Sequence, residues 1–354
     1  MESLIEIDNR KIGEDFPPYV VAEMSANHNG SIENACKIIS MAKASGADAV
    51  KLQTYHPDKL TMDINRPEFM IKSGPWGGQS LYQLYEKAFM PWEWHKPLFD
   101  HAKQEGITIF SSPFDNTAVD LLEDLNTPAY KIASFEAVDL PLVEYVAQTG
   151  KPMIVSTGLA NLEEIQEVVE VARGNGCKSL ALLYCVSGYP APAKDYNLRT
   201  LHDMKNRFDD LVVGLSDHTI ENVTSIASVA MGASIIEKHV TLDQSGGGPD
   251  DHFSLDPSGL RRLCGDVRVA WDSIGSVDYG LKSSERGNIQ FRRSLYFSCD
   301  MKSGQVVTEE SVRSIRPGYG LPPKYLKAII GKPVLKNVRK GDRVQMDMFS
   351  KVAY

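Results

Sequence analysis

Short apolar runs bounded by turn residues recur near 20–26, 49–55, 108–114, 129–134, 152–157, 180–187, 212–218 and 234–240, and read as strands. Between most of them stand IENACKIISMAKASG, TAVDLLEDLN, LVEYVAQTG, LEEIQEVVEVARGNG and VTSIASVAMG, whose apolar positions recur at helical spacing. Eight strands alternating with helices over about 270 residues predict an α/β fold, a closed (β/α)8 TIM barrel. A doubly wound open sheet shares this periodicity but calls for an early glycine-rich phosphate loop, and AEMSANHNG is a poor one.

The longest loop, 56–80, runs into SLYQLYEKAFMPWEWH. That aromatic-rich stretch reads either as a lid or subunit contact, or as a helix packed on the barrel. Past a helix ending near VRVAWDSIG the pattern changes to short strands and turns, in RSLYFSCD, GQVVTEESV, PGYGLP and KPVLKNVRKGDRV. The reading is a barrel over 1–280 and a linker with a small second domain over 281–354, its own fold beginning near 285. So small a domain buries little core and calls for support from the barrel or a partner subunit.

Side chains two apart on a strand share a face. Lys51 therefore goes with Gln53 in VKLQTY, Ser216 with His218 in GLSDH, and Glu237 with His239 in IEKH, while Asp217 faces away. Glu23, Ser112, Lys131, Ser134 and Ser156 also stand at or near strand ends. In a barrel these positions converge on the C-terminal mouth, where this architecture places chemistry. Charged and polar groups at so many strand ends are costly to desolvate unless they serve one another or a ligand. Lys51 and Lys131, pointing inward, call for a carboxylate or phosphate. Two imidazoles on adjacent strands suit a divalent ion that keeps positions open for substrate. Asn27, His28 and Asn29 could cap the helix that follows them.

Composition narrows the partners. A formal net charge of -8, with 24% charged residues, gives no basic field for nucleic acid. No run approaches 18 uninterrupted apolar residues, and MESLIEIDNRKIGEDF lacks the features of a secretory signal, so no membrane association and a cytoplasmic location are expected. Five scattered cysteines argue against a disulfide framework, and Cys185 in LALLYCVS reads as a core residue.

The strings VAEMSANHNGS, VKLQTY, SSPFD, YKIAS, STG, YPAP, GLSDHT, IEKHVTLD and GGPDDHFSL, in this order, closely resemble the sialic acid synthase family over essentially the whole chain. RRSLYFSCDMKSGQVVTEESVRSIRPGYG resembles the antifreeze-like SAF (β-clip) domain that follows the barrel in that family. The resemblance implies a metal-dependent condensation of phosphoenolpyruvate with a free N-acylated aldose, giving a nine-carbon 2-keto acid and phosphate. It implies His218 and His239 as ligands of manganese, magnesium or cobalt. Lys51, Gln53, Ser112, Lys131, Ser134, Ser156 and Ser216 would clamp phosphoenolpyruvate, Glu23 would be the acid–base carboxylate, and Asp250 would orient the sugar and a water. Ser187 and Tyr189 in YCVSGYPAP join the substrate-binding set, although Gly188 departs from the polar residue frequent there. The resemblance also implies a domain-swapped homodimer, in which Arg316 reaches the sugar in the other chain's site.

WGGQSLYQLYEKAFMPWEWH, KIASFE and SGGGPDDHFSLDP resemble the branch of the family whose acceptor is 2,4-diacetamido-2,4,6-trideoxy-L-altrose. An apolar Phe135 near the mouth suits a methyl where other acceptors carry a hydroxyl. The N-acetylneuraminate and legionaminate branches, using other N-acylated hexoses, stay open as alternatives. A class II aldolase or deoxy-heptulosonate synthase should lack the SAF-like tail, and a binding-only protein has no need of both lysines and both histidines.

Overall fold

The computed structural model describes residues 3–74 and 76–350. The chain divides into two compact units, one ending at Gly275 and the other beginning at Ser276. The first opens with a hairpin, β1 (Ile5–Ile7) and β2 (Arg10–Ile12). Eight parallel strands then close a barrel: β3 (Tyr19–Glu23), β4 (Ala49–Thr54), β5 (Thr108–Pro113), β6 (Tyr130–Ile132), β7 (Met153–Ser156), β8 (Leu180–Cys185), β9 (Val212–Asp217) and β10 (Ile235–His239). The strands pair in chain order, and β10 returns to β3. The expected TIM barrel is the observed one.

Helices α1 (Ile32–Ser45), α2 (Pro57–Leu60), α3 (Leu81–Ala88), α4 (Trp92–Glu105), α5 (Asn116–Asp124), α6 (Leu140–Ala147), α7 (Leu162–Gly174), α8 (Arg199–Arg207), α9 (Val223–Ala230) and α10 (Pro257–Ile274) fill the connections. Local chemistry sets their ends. Ser31 caps α1 by accepting a hydrogen bond from the Asn34 amide, and Gly46 closes that helix at a φ of 93°. The cap is Ser31 and none of the three residues before Gly30. Instead, the Asn27 amide donates to Val240 O and Ser254 Oγ, and that of Asn29 to Asp251, tying the loop after β3 to the loop after β10.

The barrel interior changes chemistry along each strand. Tyr19, Val21, Ala49, Phe110, Ala129, Ile154, Ala181, Leu183, Val212 and Ile235 form a buried apolar cluster that includes Ile5, Ile7 and Ile12 of the hairpin. The hairpin thus plugs the N-terminal end. One alternation further along, the same inward faces carry Glu23, Lys51, Ser112, Lys131, Ser156, Ser216 and Glu237. Gly214 is required in the packed layer, because a Cβ there would lie 2.4 Å from Ile235 O and 2.6 Å from Leu183 Cδ2. Outward side chains such as Val20, Ala22, Val50 and Leu52 pack beneath the helices.

On that outer face, Asp217 and Lys238 are register partners on β9 and β10. Lys238 is 1% exposed, and its Nζ donates to Asp217 Oδ2 at 2.9 Å, Thr219 O at 2.5 Å, Thr219 Oγ1 at 3.3 Å and Glu221 O at 3.0 Å. Asp217 therefore points away from His218, as alternation requires.

The second unit has its own small core, with Leu295, Phe297, Met301, Val312, Ile329, Val334 and Val344 among its buried residues. Its regular elements include the antiparallel pair β11 (Ser294–Phe297) and β12 (Val312–Ile315), and the short helix α11 (Leu326–Ile329). No helix among the described residues is long and apolar enough to cross a membrane.

Candidate active site

A cavity of about 400 Å³ opens at the C-terminal ends of the barrel strands. Its floor is an ion-paired cluster, built by register. Glu23 on β3 is the partner of Lys51 on β4, and Lys51 Nζ lies 2.8 Å from Glu23 Oε2. Lys131 on β6 donates to both oxygens of Glu237 on β10, at 2.9 and 3.0 Å, across the barrel. Lys51 also reaches Glu237 Oε1 at 3.7 Å and donates to Ser112 Oγ at 3.3 Å, while Ser216 Oγ donates to Glu237 at 3.2 Å. The carboxylates that the two inward lysines require are thus supplied by the chain itself. Burial alone would raise the Glu237 carboxyl, but the flanking Lys131 and Lys51 hold it well below the usual range. Burial raises Glu23, which has one close ammonium and a like-charged neighbour in Glu237.

A hydrogen-bonded chain leads from this floor to the rim. The Gln53 amide donates to Glu23 Oε1 at 2.8 Å and to Ser25 Oγ at 3.0 Å, and Ser25 donates to Asp250 Oδ2 at 2.5 Å. Asp250 Oδ2 lies 3.8 Å from His239 Nδ1. His239 and His218 face each other with ring centroids 5.2 Å apart, and Tyr189 covers His218 at 4.3 Å. The His218 amide donates to Tyr196 Oη at 2.6 Å, which fixes the turn that carries the ring.

The two imidazoles fit a divalent cation. His218 Nδ1 lies 2.9 Å from Val186 O, so a proton held there leaves Nε2 as a lone-pair donor. Among the described residues His239 Nδ1 is buried without a hydrogen-bond partner, and burial, followed by repulsion from His218, holds the ring well below the usual imidazole range. A neutral, unsatisfied imidazole beside a carboxylate is a metal-competent donor. Among the described residues no three His, Cys, Asp or Glu side chains form a metal cluster. A cation here would rest on two protein nitrogens and keep its other positions for oxygen ligands.

The remaining predicted residues are placed as follows. Ser156 Oγ is buried in the wall with no hydrogen-bond partner among the described residues, the state of a donor that serves a ligand. Ser134 lies in the wall but not on a strand: β6 stops at Ile132, and Ser134–Glu136 is a 3₁₀ turn whose serine accepts from the Gly158 amide at 3.1 Å. Ser112 and Ser187 do not line the cavity themselves: Ser112 Oγ accepts from Lys51 Nζ, and Ser187 Oγ lies beside Gly158. A Cβ at Gly158 would meet Ser187 Oγ and Ser134 Oγ, so that glycine is packed between them. Cys185 is buried as expected, with its Sγ 3.8 Å from His218 Nδ1. Phe135 lines the cavity but is 56% exposed, a rim residue. Arg316 belongs to the second unit and is exposed there.

Sequence reasoning passed over several wall residues, Ser25, Glu136 and Trp76 among them. Ser25 stands two positions past Glu23, at a φ of 48° that breaks strand alternation. Glu136 stands two past Ser134; its Oε2 is buried with no hydrogen-bond partner among the described residues, and burial pushes its carboxyl up to about 7. Trp76 packs 5.7 Å from Tyr189, and its Nε1 donates to Pro249 O at 3.1 Å.

Comparison with known proteins bears directly on this cavity. The NeuB family model matches residues 38–279, and the SAF domain model matches residues 292–350. The chain is 42% identical over 335 residues to a pseudaminic acid synthase of Campylobacter jejuni, covering 95% of this chain and 97% of that one. It is 40% identical over 333 residues to the pseudaminic acid synthase of Helicobacter pylori, covering 94% and 97%. Among solved structures it resembles an N-acetylneuraminic acid synthetase from Leptospira borgpetersenii in complex with citrate, with a TM-score of 0.73, 28% identity, and coverage of 82% of this chain and 97% of that one.

Proposed function

The chain belongs to the NeuB family and carries a SAF domain C-terminal to its barrel in the sequence, and from that premise we propose that it is a pseudaminic acid synthase. It condenses phosphoenolpyruvate with 2,4-diacetamido-2,4,6-trideoxy-L-altrose and water, forming pseudaminic acid and inorganic phosphate. The observation that carries this reading is the 42% identity to a pseudaminic acid synthase along 95% of the chain.

The site supplies what that reaction needs. Lys51 and Lys131 hold the phosphate and carboxylate of phosphoenolpyruvate at the floor, sharing their ammonium groups with Glu23 and Glu237, and the unpaired Ser156 hydroxyl donates to the same anion. Gln53, Ser112, Ser134 and Ser216 complete the clamp, while Asp250, Tyr189 and Ser187 serve the acceptor side. A divalent cation, manganese, magnesium or cobalt, held by His218 and His239 would supply Lewis-acid polarisation of the open-chain sugar aldehyde. Carbon 3 of phosphoenolpyruvate then bonds to aldehyde carbon 1, whose oxygen takes up a proton. Water adds at carbon 2 of the resulting cation and gives up a proton. Breaking the bond from carbon 2 to the bridging oxygen expels phosphate, which takes up a proton as the carbon-2 hydroxyl gives one up to become the keto group. Burial at the floor with a raised pKa supports Glu23 as the group that accepts and returns these protons, and the same features make Glu136 a second candidate at the wall.

The second unit acts in trans in this reading: in a domain-swapped homodimer, Arg316 of one chain reaches the sugar held by the other. The acceptor assignment is tested by initial rates with phosphoenolpyruvate and each of three sugars: the L-altrose derivative, its D-mannose-configured diacetamido counterpart, and N-acetylmannosamine. The L-altrose derivative should give the highest kcat/KM. A higher value for either of the others overturns the pseudaminate assignment and leaves the synthase chemistry standing.

A further inference from the structure

The cavity wall has two chemically distinct halves. The strand ends carry the ion pairs, serines and histidines, whereas much of the remaining lining is contributed by the chain between β4 and α4. There Met70 and Ser80 form an antiparallel bridge, and the Ile71 amide donates to Gln79 O, so the chain doubles back and presents Ile71 to the cavity. Ser80 then caps α3 in a reciprocal pair with Gln83, which sets Leu81 and Leu84 on the same wall. Leu84 is buried. On the same lining Tyr55 packs edge-on against Tyr85 at 5.9 Å and Phe114 at 5.3 Å, and its hydroxyl is spent on Tyr85 O. The Trp76 bond to Pro249 fastens this segment next to Asp250, on the metal-competent side of the mouth.

We propose that Leu84 and Ile71 determine specificity for the acceptor's carbon 6, accepting a methyl group and rejecting a hydroxymethyl group. The inference rests on the synthase reading above. Leucine and isoleucine side chains offer no hydrogen bond, so an acceptor hydroxyl turned to these two side chains is desolvated without a partner from them. Apolar pockets reject an added hydroxyl by about a hundred-fold in kcat/KM, which sets the expected scale. Neither side chain takes part in the bonds of the lysine clamp, so the pair acts on the acceptor and leaves phosphoenolpyruvate capture alone. Phe135, half in solvent at the rim, is a weaker filter than the buried Leu84.

The experiment compares two acceptors that differ only at carbon 6: the 6-deoxy L-altrose derivative and its 6-hydroxy analogue. Full-length wild type should favour the 6-deoxy sugar by roughly a hundred-fold. Leu84→Asn should bring the ratio to within a few-fold, and Leu84→Met should retain it. Phosphoenolpyruvate affinity, from isothermal titration, should not change in either variant. If Leu84→Asn does not fold, Ile71→Asn, at a loop position, carries the same expectation. An unchanged ratio in the folded asparagine variants, or no preference in wild type, overturns the assignment. The same pair of sugars in the D-mannose configuration is run in parallel. Turnover of that pair alone defeats the pseudaminate reading, and its own 6-deoxy to 6-hydroxy ratio then decides the role of the wall.

Discussion

Replacing Lys238 with methionine tests whether the outer-face ion pair holds the two histidine-bearing strand ends together. Methionine fills most of the volume but removes the ammonium and all four of its bonds, to Asp217, Thr219 and Glu221. Asp217 keeps Ser225 Oγ at 2.5 Å and the Thr219 amide at 2.8 Å, so its carboxylate stays partly satisfied but loses its counter-charge. Breaking a buried pair by removing one partner costs about 3–5 kcal/mol. The two orphaned carbonyls fall within that sum. Removing both charges in Lys238→Met/Asp217→Asn should recover part of the loss, with a coupling of roughly 1–3 kcal/mol. Asp217→Asn alone should cost less than Lys238→Met, since three oxygens still surround the ammonium. The assay is urea unfolding followed by tryptophan fluorescence. The four tryptophans, Trp76, Trp92, Trp94 and Trp271, all lie in the barrel unit, so the signal reports that unit alone. A loss under about 1 kcal/mol for Lys238→Met, or additive single and double losses, refutes the reasoning.

Glu23→Gln keeps the shape and the Gln53 contact but removes a titratable group; turnover should fall by about 10²–10⁴ while phosphoenolpyruvate affinity changes only a few-fold, and equal losses in the two would mark Glu23 as structural. Glu136, raised from 4.5 to about 7 chiefly by burial, is neutral more readily in the folded chain than in the unfolded one. Its contribution to stability is complete below pH 4.5 and is lost as pH rises through 7, so unliganded wild type should lose roughly 2 kcal/mol relative to Glu136→Gln between pH 5 and 8. A pH-independent difference in unfolding free energy contradicts that shift. Mixing Arg316→Ala chains with Glu23→Ala chains should restore activity to about a quarter of wild type, because half the dimers then hold one intact site; verified chain exchange without recovery disproves action in trans.

Two-residue alternation made the polar floor legible: once eight strands were recognised, it put Glu23, Lys51, Gln53, Lys131, Ser216, Glu237 and His239 on the interior, and there they are. It failed where the backbone leaves the strand. Ser134 belongs to a tight turn because β6 is three residues long, and Ser25 reaches the cavity through a left-handed φ that no periodicity encodes. Helix α8 went unrecognised because RTLHDMKNR buries only Leu201 and Met204, too few positions to reveal a period. The apolar wall was hidden for another reason. Ile71, Trp76 and Leu84 come from a hairpin, a loop and a helix in turn, so their shared surface exists only after folding.

The isoleucine plug under the barrel has a kinetic consequence. With Ile5, Ile7 and Ile12 packed among the interior residues, the tube is a vessel with one opening. In the proposed reading, with phosphoenolpyruvate on the lysine floor and the sugar above it, the first has to arrive before the second and cannot depart while the sugar remains. An obligatory order of addition, phosphoenolpyruvate first, follows from the shape of the container. So does a dead-end complex: a non-reacting sugar analogue that enters an empty vessel shuts the first substrate out, and should inhibit competitively against phosphoenolpyruvate.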